Sequence, residues 1–567
     1  MSAKGRLGTL TPADRTAGIG LLLVLLGVYL ATFAGLPGNP DAEVEYQTTR
    51  SLARGEGYAI SNATPEGAAI IATRFDVREG VDGRFYSWFG IGQAWAAVPL
   101  YWGGAGLARL FGDLEARHAA TLAYGAPRSE YFPHLVVGLR NPILGALTGW
   151  LLFLIARRLG VGRRAATISA LGYGLATFAW PQARDSLSDV QATFFSTAAL
   201  ALLTTIRVGF DGLRPPSRWA LLGLGAALGA MVLTRVVTAP LAVAYAVALL
   251  VVVVRGRQRM WSMPLLGGEA GIQRAARDLV WFAVPALAAA VLLLLSNANR
   301  FGDPFETGYS DAVASGTFFS YPPWLGLLGV TIAPGKGLLW HAPLVLLAAV
   351  GLPRLWRDRF LIVLLAAGVL AVFLPPIHTQ TFHGAWTYGP RYILPALPML
   401  WLAVAWGVES LERTRASLVV WALGGVGLVS ALGGVLTDQS TFHSLALDAA
   451  RVEWPDVADE TELAADDQRF VNVQWDWRFA APWAHWRIFR HRAAGLPENF
   501  PSDQIFFLDE RVLLSPTHER DRGFRHLAWV DLEQRLRGPV WPGLLLAALL
   551  AAVGVAQLVR GFDPTQH

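Results

Sequence analysis

Three carboxylates crowd one stretch of this chain, Pro40-Asp41-Ala42-Glu43-Val44-Glu45-Tyr46-Gln47-Thr48-Thr49-Arg50, directly after its first apolar run. On a helix, Asp41 and Glu45 share one face, and Glu43, Tyr46 and Arg50 share another. A carboxylate so placed takes a proton from an attacking hydroxyl. The plainer alternative is a set of acids complementing a helix dipole. A second group, Trp180 to Asp189, puts Arg184, Asp185 and Asp189 in a tight turn between apolar runs, where Asp and Ser also serve as caps. A third runs from Asn299 to Tyr309 and is followed by Pro334-Gly335-Lys336-Gly337; a fourth is Trp386-Thr387-Tyr388-Gly389-Pro390-Arg391-Tyr392. Lys336 and Arg391 are flanked by glycine or proline, which lets backbone approach a ligand. Phosphate suits both cations, with Arg391 able to bind two oxygens at once. Snorkelling at a membrane interface is the bland alternative.

A membrane must position these groups. Of 567 residues, 53% are hydrophobic and 16% charged, against roughly 25% charged in a soluble domain. That balance excludes a disordered chain, a nucleic-acid-coating protein and a string of soluble domains. The absence of cysteine removes disulfide scaffolds, Cys-ligated zinc and iron–sulfur clusters. Twelve apolar segments read as helical spans, at 17–36, 133–156, 165–182, 187–206, 219–234, 236–254, 278–296, 338–353, 360–376, 392–410, 416–436 and 541–559. Alternate short connections hold 21 and 5 basic residues, so the positive-inside rule puts both termini in the cytoplasm.

Counting the apolar stretch 88–110 as a span would reverse that bias. It is therefore laid along the outer surface, with Trp88, Trp95, Tyr101 and Trp102 as interfacial anchors. The expected organisation is a cytoplasmic N-terminus (1–16), a transmembrane domain (17–436), an extracytoplasmic region (437–540), a last span (541–559) and a cytoplasmic tail (560–567). The transmembrane domain includes a large outer loop, 37–132, with interfacial helices near 41–54 and 88–110. The fold class is an all-α polytopic membrane protein; α/β structure is one option for 437–540. His378 and His383 lack a third metal ligand, and Trp475, Trp477, Trp483 and Trp486 suit aromatic packing better than sugar stacking.

The first outer loop, Asp82-Gly83-Arg84-Phe85-Tyr86-Ser87 leading into Gly90-Ile91-Gly92-Gln93, Asn141, and Ala156-Arg157-Arg158-Leu159-Gly160 resemble the GT-C superfamily. These are polyprenyl-phosphate-sugar-dependent integral membrane glycosyltransferases, related to protein mannosyltransferases and aminoarabinose transferases. Phe301-Gly302-Asp303-Pro304, Pro334-Gly335-Lys336-Gly337-Leu338 and Gly389-Pro390-Arg391-Tyr392 are similar to motifs of bacterial members, over about residues 17–410.

The resemblance implies a GT-C-like fold in the plasma (inner) membrane, with an extracytoplasmic active site. It implies transfer of a hexosyl or pentosyl group, with inversion, from a polyprenyl-phosphate donor to a glycan, lipid or protein acceptor. It puts the catalytic base on Asp41 or Glu43; Asp-Ala-Glu here replaces the adjacent Asp-Glu of some members, and the choice stays open. Asp189 matches the family's second-turn acid better than Asp185. Arg391, Lys336 and Tyr392 would hold the donor phosphate, and Glu45, Tyr46, Arg50, Arg184, Asp185, Tyr309 and Trp386 would line the substrates. Asp41, Glu43 and Asp189 would hold Mg²⁺ or Mn²⁺ if a divalent ion takes part; no other cofactor and no nucleic-acid partner is implied. The competing readings are a lipid or small-anion transporter or flippase, which predicts inverted repeats and mid-membrane charges that the sequence lacks, and a non-catalytic envelope assembly protein.

Overall fold

The structure is a computed structural model that describes residues 10–123, 126–261, 269–309, 321–379, 382–457, 462–517 and 523–562. Lys4 and Arg6, counted in the arginine bias, and the tail beyond 562 lie outside the described residues. The chain is an all-α polytopic membrane protein. Among the described residues, nine helices are long and apolar enough to cross a bilayer, from Pro12–Thr32 to Trp541–Gly561. Three of the expected spans are shorter helices. Arg218–Thr234 and Pro343–Leu355 stay below full length. The segment at 165–182 breaks into Arg163–Leu175 and Ala179–Ala183. The break has a local cause: the Thr177 hydroxyl donates to Tyr173 O at 2.7 Å and accepts from Ala179 N–H at 3.1 Å.

The first and last spans pack through small residues. A Cβ at Gly20 would lie 2.7 Å from Gly554 O, and one at Gly27 only 2.5 Å from Ala547 O. Each pair is seven residues apart, so one flat stripe runs along each helix. The pairing is antiparallel and brings Pro12 and Gly561 to one rim. There Asp14 accepts from Arg157 and Arg163 at 2.8 Å each, and Arg163 also donates to Gly561 O at 2.8 Å.

The region 437–540 corrects the α/β option. Its described residues form the helices Gln439–Glu453, Glu462–Trp475 and Ala481–Ala493 with shorter pieces, and among them one strand pair joins Phe500–Pro501 to Leu513–Leu514. Phe442, Leu445, Phe470, Phe479 and Ile488 belong to the same apolar core as the spans. The region is therefore a cap built onto the bundle.

The helix Ile91–Leu110 contains Pro99 and is not among the nine. Trp95 and Trp102 are exposed, as interfacial anchors require. Two expected anchors are elsewhere: Tyr101 is buried, and Trp88 stacks on Tyr309 with ring centroids 5.1 Å apart. A helix lying on the surface keeps both its ends on one side of the bilayer. Arg84→Cys and Asp113→Cys, both exposed and flanking it, should each react with an impermeant thiol reagent added from outside; labelling of only one means that the helix crosses.

Candidate active site

The site is organised by the helix Pro40–Ala53, where the chain leaves the first span. Asn39 caps it, its side chain accepting from Asp41 N–H at 2.8 Å, and Pro40 occupies the first turn. The approach to the cap is tied down from three sides. Asn39 Nδ2 donates to Trp386 O at 3.0 Å, Gly38 N–H to Asp185 Oδ2 at 3.2 Å, and Ser440 Oγ to Gly38 O at 2.5 Å.

One face of this helix is spent on anchoring. Tyr46 stacks on His134 with ring centroids 3.4 Å apart. Glu130 accepts from Tyr46 at 2.9 Å and from Tyr101 at 2.8 Å, and it pairs with Arg50 at 3.3 Å and with Arg54. Glu43 meets His134 at 3.3 Å and accepts from Gln47 Nε2 at 2.7 Å. Burial pushes the Glu43 carboxyl up, but these contacts outweigh it and hold the group below the usual carboxylate range.

The opposite face carries Asp41 and Glu45 into a cavity of about 290 Å³. Arg391 Nη2 lies 2.8 Å from Asp41 Oδ2 and 3.4 Å from the Tyr392 hydroxyl, while Arg391 Nε is buried with no hydrogen-bond partner among the described residues. Across the cavity Arg235 pairs with the fully buried Asp189 at 2.9 Å. The two guanidinium carbons sit 5.6 and 5.0 Å from the centre of the Tyr392 ring. Ser188, Trp88 and Tyr309 complete the polar wall; Val236, Val237, Val372, Pro375 and Pro376 form the apolar one.

Burial, with the Asp41 charge added, pushes Glu45 well above the usual carboxylate range. Asp76, in the turn before the strand Val77–Glu79, shares a hydrogen bond with Asp41. Burial and the Asp41 charge push its pKa up to about 8.

Several expected site residues serve elsewhere. Lys336 is fully buried and donates to Ala385 O at 3.0 Å and to Thr387 O, holding the loop that delivers Arg391 instead of facing the cavity. Gly384 and Gly389 of that loop have φ of +72° and +71°; a Cβ at either would lie 2.7 Å from the Arg391 Cγ or the Phe178 Cβ. Arg184 donates to Thr32 O, Gly434 O and His526 O. Trp386 stacks on His443 at 3.9 Å. Asp185, Trp386 and Lys336 thus shape the site through backbone, and Glu43, Tyr46 and Arg50 through the anchor. Among the described residues no three His, Asp or Glu side chains gather as a metal cage; Asp41 and Asp189 each have a separate arginine, and Glu43 lies against His134.

The sequence reading omitted Asp76 and Arg235 from the site. An acid in a turn looks like a turn former, so Asp76 gave no signal. Arg235 was visible as one of few basic residues on the sparse side of the arginine bias.

A family profile described as dolichyl-phosphate-mannose-protein mannosyltransferase matches residues 132–281. The GT-C resemblance holds over this segment. It contains Asp189 and Arg235, while Asp41, Asp76 and Arg391 lie outside it. No curated protein matches the chain. Among solved structures, ArnT from Cupriavidus metallidurans bound to undecaprenyl phosphate aligns at 17% identity and a TM-score of 0.41, covering 96% of this chain and 76% of that one. The Archaeoglobus fulgidus oligosaccharyltransferase in its apo form aligns at 14% identity and a TM-score of 0.41, covering 78% and 58%.

The two-faced helix makes a prediction of its own. Glu43→Gln removes one partner of a buried pair and should lower stability by about 1–3 kcal/mol, read as a fall in unfolding temperature in detergent. Because the native carboxyl titrates below its unfolded value, the wild-type advantage should be full at neutral pH and fade as pH falls through the native pKa. Catalytic turnover per folded molecule should stay near that of wild type.

Proposed function

We propose that this protein transfers a sugar from a polyprenyl-phosphate donor to an acceptor hydroxyl at the outer face of the plasma membrane. The acceptor is a glycan, a lipid or a protein. The observation that carries this reading is a single cavity in which a carboxylate, Asp41, lies beside Arg391, with Arg235 opposite and an apolar wall of valines and prolines. Half-exposed Val237 leads from that wall toward the bilayer, the route a lipid tail needs. The profile match and the name of its family agree with a lipid-phosphate sugar donor.

The resting Arg391 has one buried donor without a partner, an arrangement that costs about 1–3 kcal/mol unless a ligand fills it. A phosphate arriving there takes up Nε and competes with Asp41 for the guanidinium, releasing the carboxylate as a base. The acceptor oxygen then attacks the anomeric carbon from the side opposite the phosphate. The carbon–oxygen bond to phosphate breaks, its electron pair stays on the phosphate oxygen, and the acceptor proton passes to Asp41. The products are an inverted glycoside and the polyprenyl phosphate, whose added charge Arg391 and Arg235 stabilise. Neutral Asp76 donates to Asp41 and keeps its carboxylate aimed at the cavity.

Purified protein given a radiolabelled polyprenyl-phosphate sugar and a cell-envelope acceptor extract should form labelled product. Asp41→Asn should cut turnover by about 10²–10⁴-fold while donor binding survives. Arg391→Lys should not restore the activity lost in Arg391→Ala, because lysine lacks the planar fork. Activity of Asp41→Asn at the wild-type level would overturn the reading.

Asp76 supplies a pH test. Below about pH 8 it keeps its proton; above that, two carboxylates face each other and Asp41 is displaced. Turnover should fall on the alkaline side of pH 8, and Asp76→Asn, which stays uncharged, should move that fall to higher pH in a single-turnover profile.

A further inference from the structure

We propose that a second cavity, at the opposite rim of the bundle, binds the phosphate-bearing headgroup of an anionic phospholipid. The helix Ser188–Asp211 spans the distance: Ser188 borders the Asp41 cavity, and Arg207 borders the second one, about 30 Å away at 1.5 Å per residue. The second cavity has a volume of about 790 Å³ and is lined by Arg158, Arg207, Arg214 and Arg354.

The arginines of this rim divide into two kinds. Arg157 and Arg163 are satisfied by Asp14 at 2.8 Å each. Around the cavity the four arginines outnumber the two carboxylates of the lining, Asp211 and Asp358. Among the described residues Arg158, Arg214 and Arg354 meet no carboxylate, and Arg354 instead lies over the Trp406 ring at 5.7 Å. Arg207 pairs with Asp358 at 2.6 Å, yet its Nη1 is buried with no hydrogen-bond partner among the described residues. An arginine that only sets topology needs no more than water around it. Here four arginines line one concavity against two aspartates, and Arg207 leaves a buried donor unfilled.

Leu159, Ile206, Leu355, Leu361 and Trp406 supply an apolar wall, and Thr205, Asp211 and Ser217 add polar groups. A basic mouth over an apolar wall, between spans at the leaflet the arginine bias makes cytoplasmic, matches a lipid with a phosphate head and acyl chains. A soluble phosphate would leave that wall unused.

The experiment uses the full chain in neutral detergent, titrated with phosphatidylglycerol, phosphatidylcholine or sodium phosphate. Bound lipid is read by native mass spectrometry and stabilisation by unfolding temperature. Phosphatidylglycerol should be retained and should raise the unfolding temperature; phosphatidylcholine and phosphate should do neither. Arg158→Gln combined with Arg354→Gln should weaken phosphatidylglycerol binding by about tenfold or more. Arg255→Gln, exposed at the same rim outside the cavity, should leave it unchanged. Should the double variant fail to fold, Arg214→Gln, on an exposed loop position, reads the same loss. Equal binding of both lipids, wild-type affinity in the cavity variants, or full stabilisation by phosphate alone would overturn the proposal. Sugar transfer enters none of these readouts.

Discussion

The contact between Asp41 and Arg391, 2.8 Å across, is the constraint around which the outer half of the molecule is built. It joins the first helix after the membrane exit to the last loop before a core helix, Leu397–Leu411. An ion pair at the bilayer edge survives only if its desolvation is offset by further partners. Asp41 has its own N–H on the Asn39 cap and Asp76 beside its carboxyl; Arg391 has the Tyr392 hydroxyl. The surplus donor on Arg391 marks the pair as incomplete, and incompleteness in a cavity with an apolar wall is what a phosphate on a lipid would relieve.

Lys336 and Arg391 illustrate how two buried cations divide the work. The lysine is a point donor on a flexible stem, and it spends its protons on the carbonyls of residues 385 and 387. Burial, with the Arg391 charge added, pushes its pKa well below the ordinary lysine value. Its task is therefore the shape of the loop, which depends on hydrogen bonds more than on charge. Arginine keeps its charge under the same burial, and its planar fork can hold one acid while offering another edge to a ligand.

The long spans were legible because lipid leaves the backbone no choice but a helix. The exit helix was legible too, from Pro40 and the four-residue spacing of Asp41 and Glu45. Spacing alone could not say which face meets the cavity, since that depends on Glu130 and His134, some ninety residues away in the chain. The same limit hid Asp76, whose role arises from a turn brought against Asp41 by packing. It also misplaced Lys336: flanking glycines look alike whether the backbone is opened to a ligand or to a buried side chain. The cap at 437–540 resisted reading because its apolar residues complete the core of the bundle and show little pattern of their own.

Charge balance connects the resting site to the proposed reaction. Asp41 and Asp189 stand against Arg391 and Arg235, while burial raises the Glu45 carboxyl and pushes Asp76 up to about 8. The four charged groups sum to zero. A phosphodiester donor adds one negative charge, and the leaving phosphate monoester carries up to two. The extra negative charge on the phosphate appears as the acceptor proton reaches Asp41, so the total within the cavity does not change during the step. Arg391 touches the group that loses charge and reaches toward the group that gains it. The reaction then moves a negative charge across one guanidinium without drawing counter-ions or water into the cavity, which is the condition under which fixed charges near lipid stabilise a transition state most strongly.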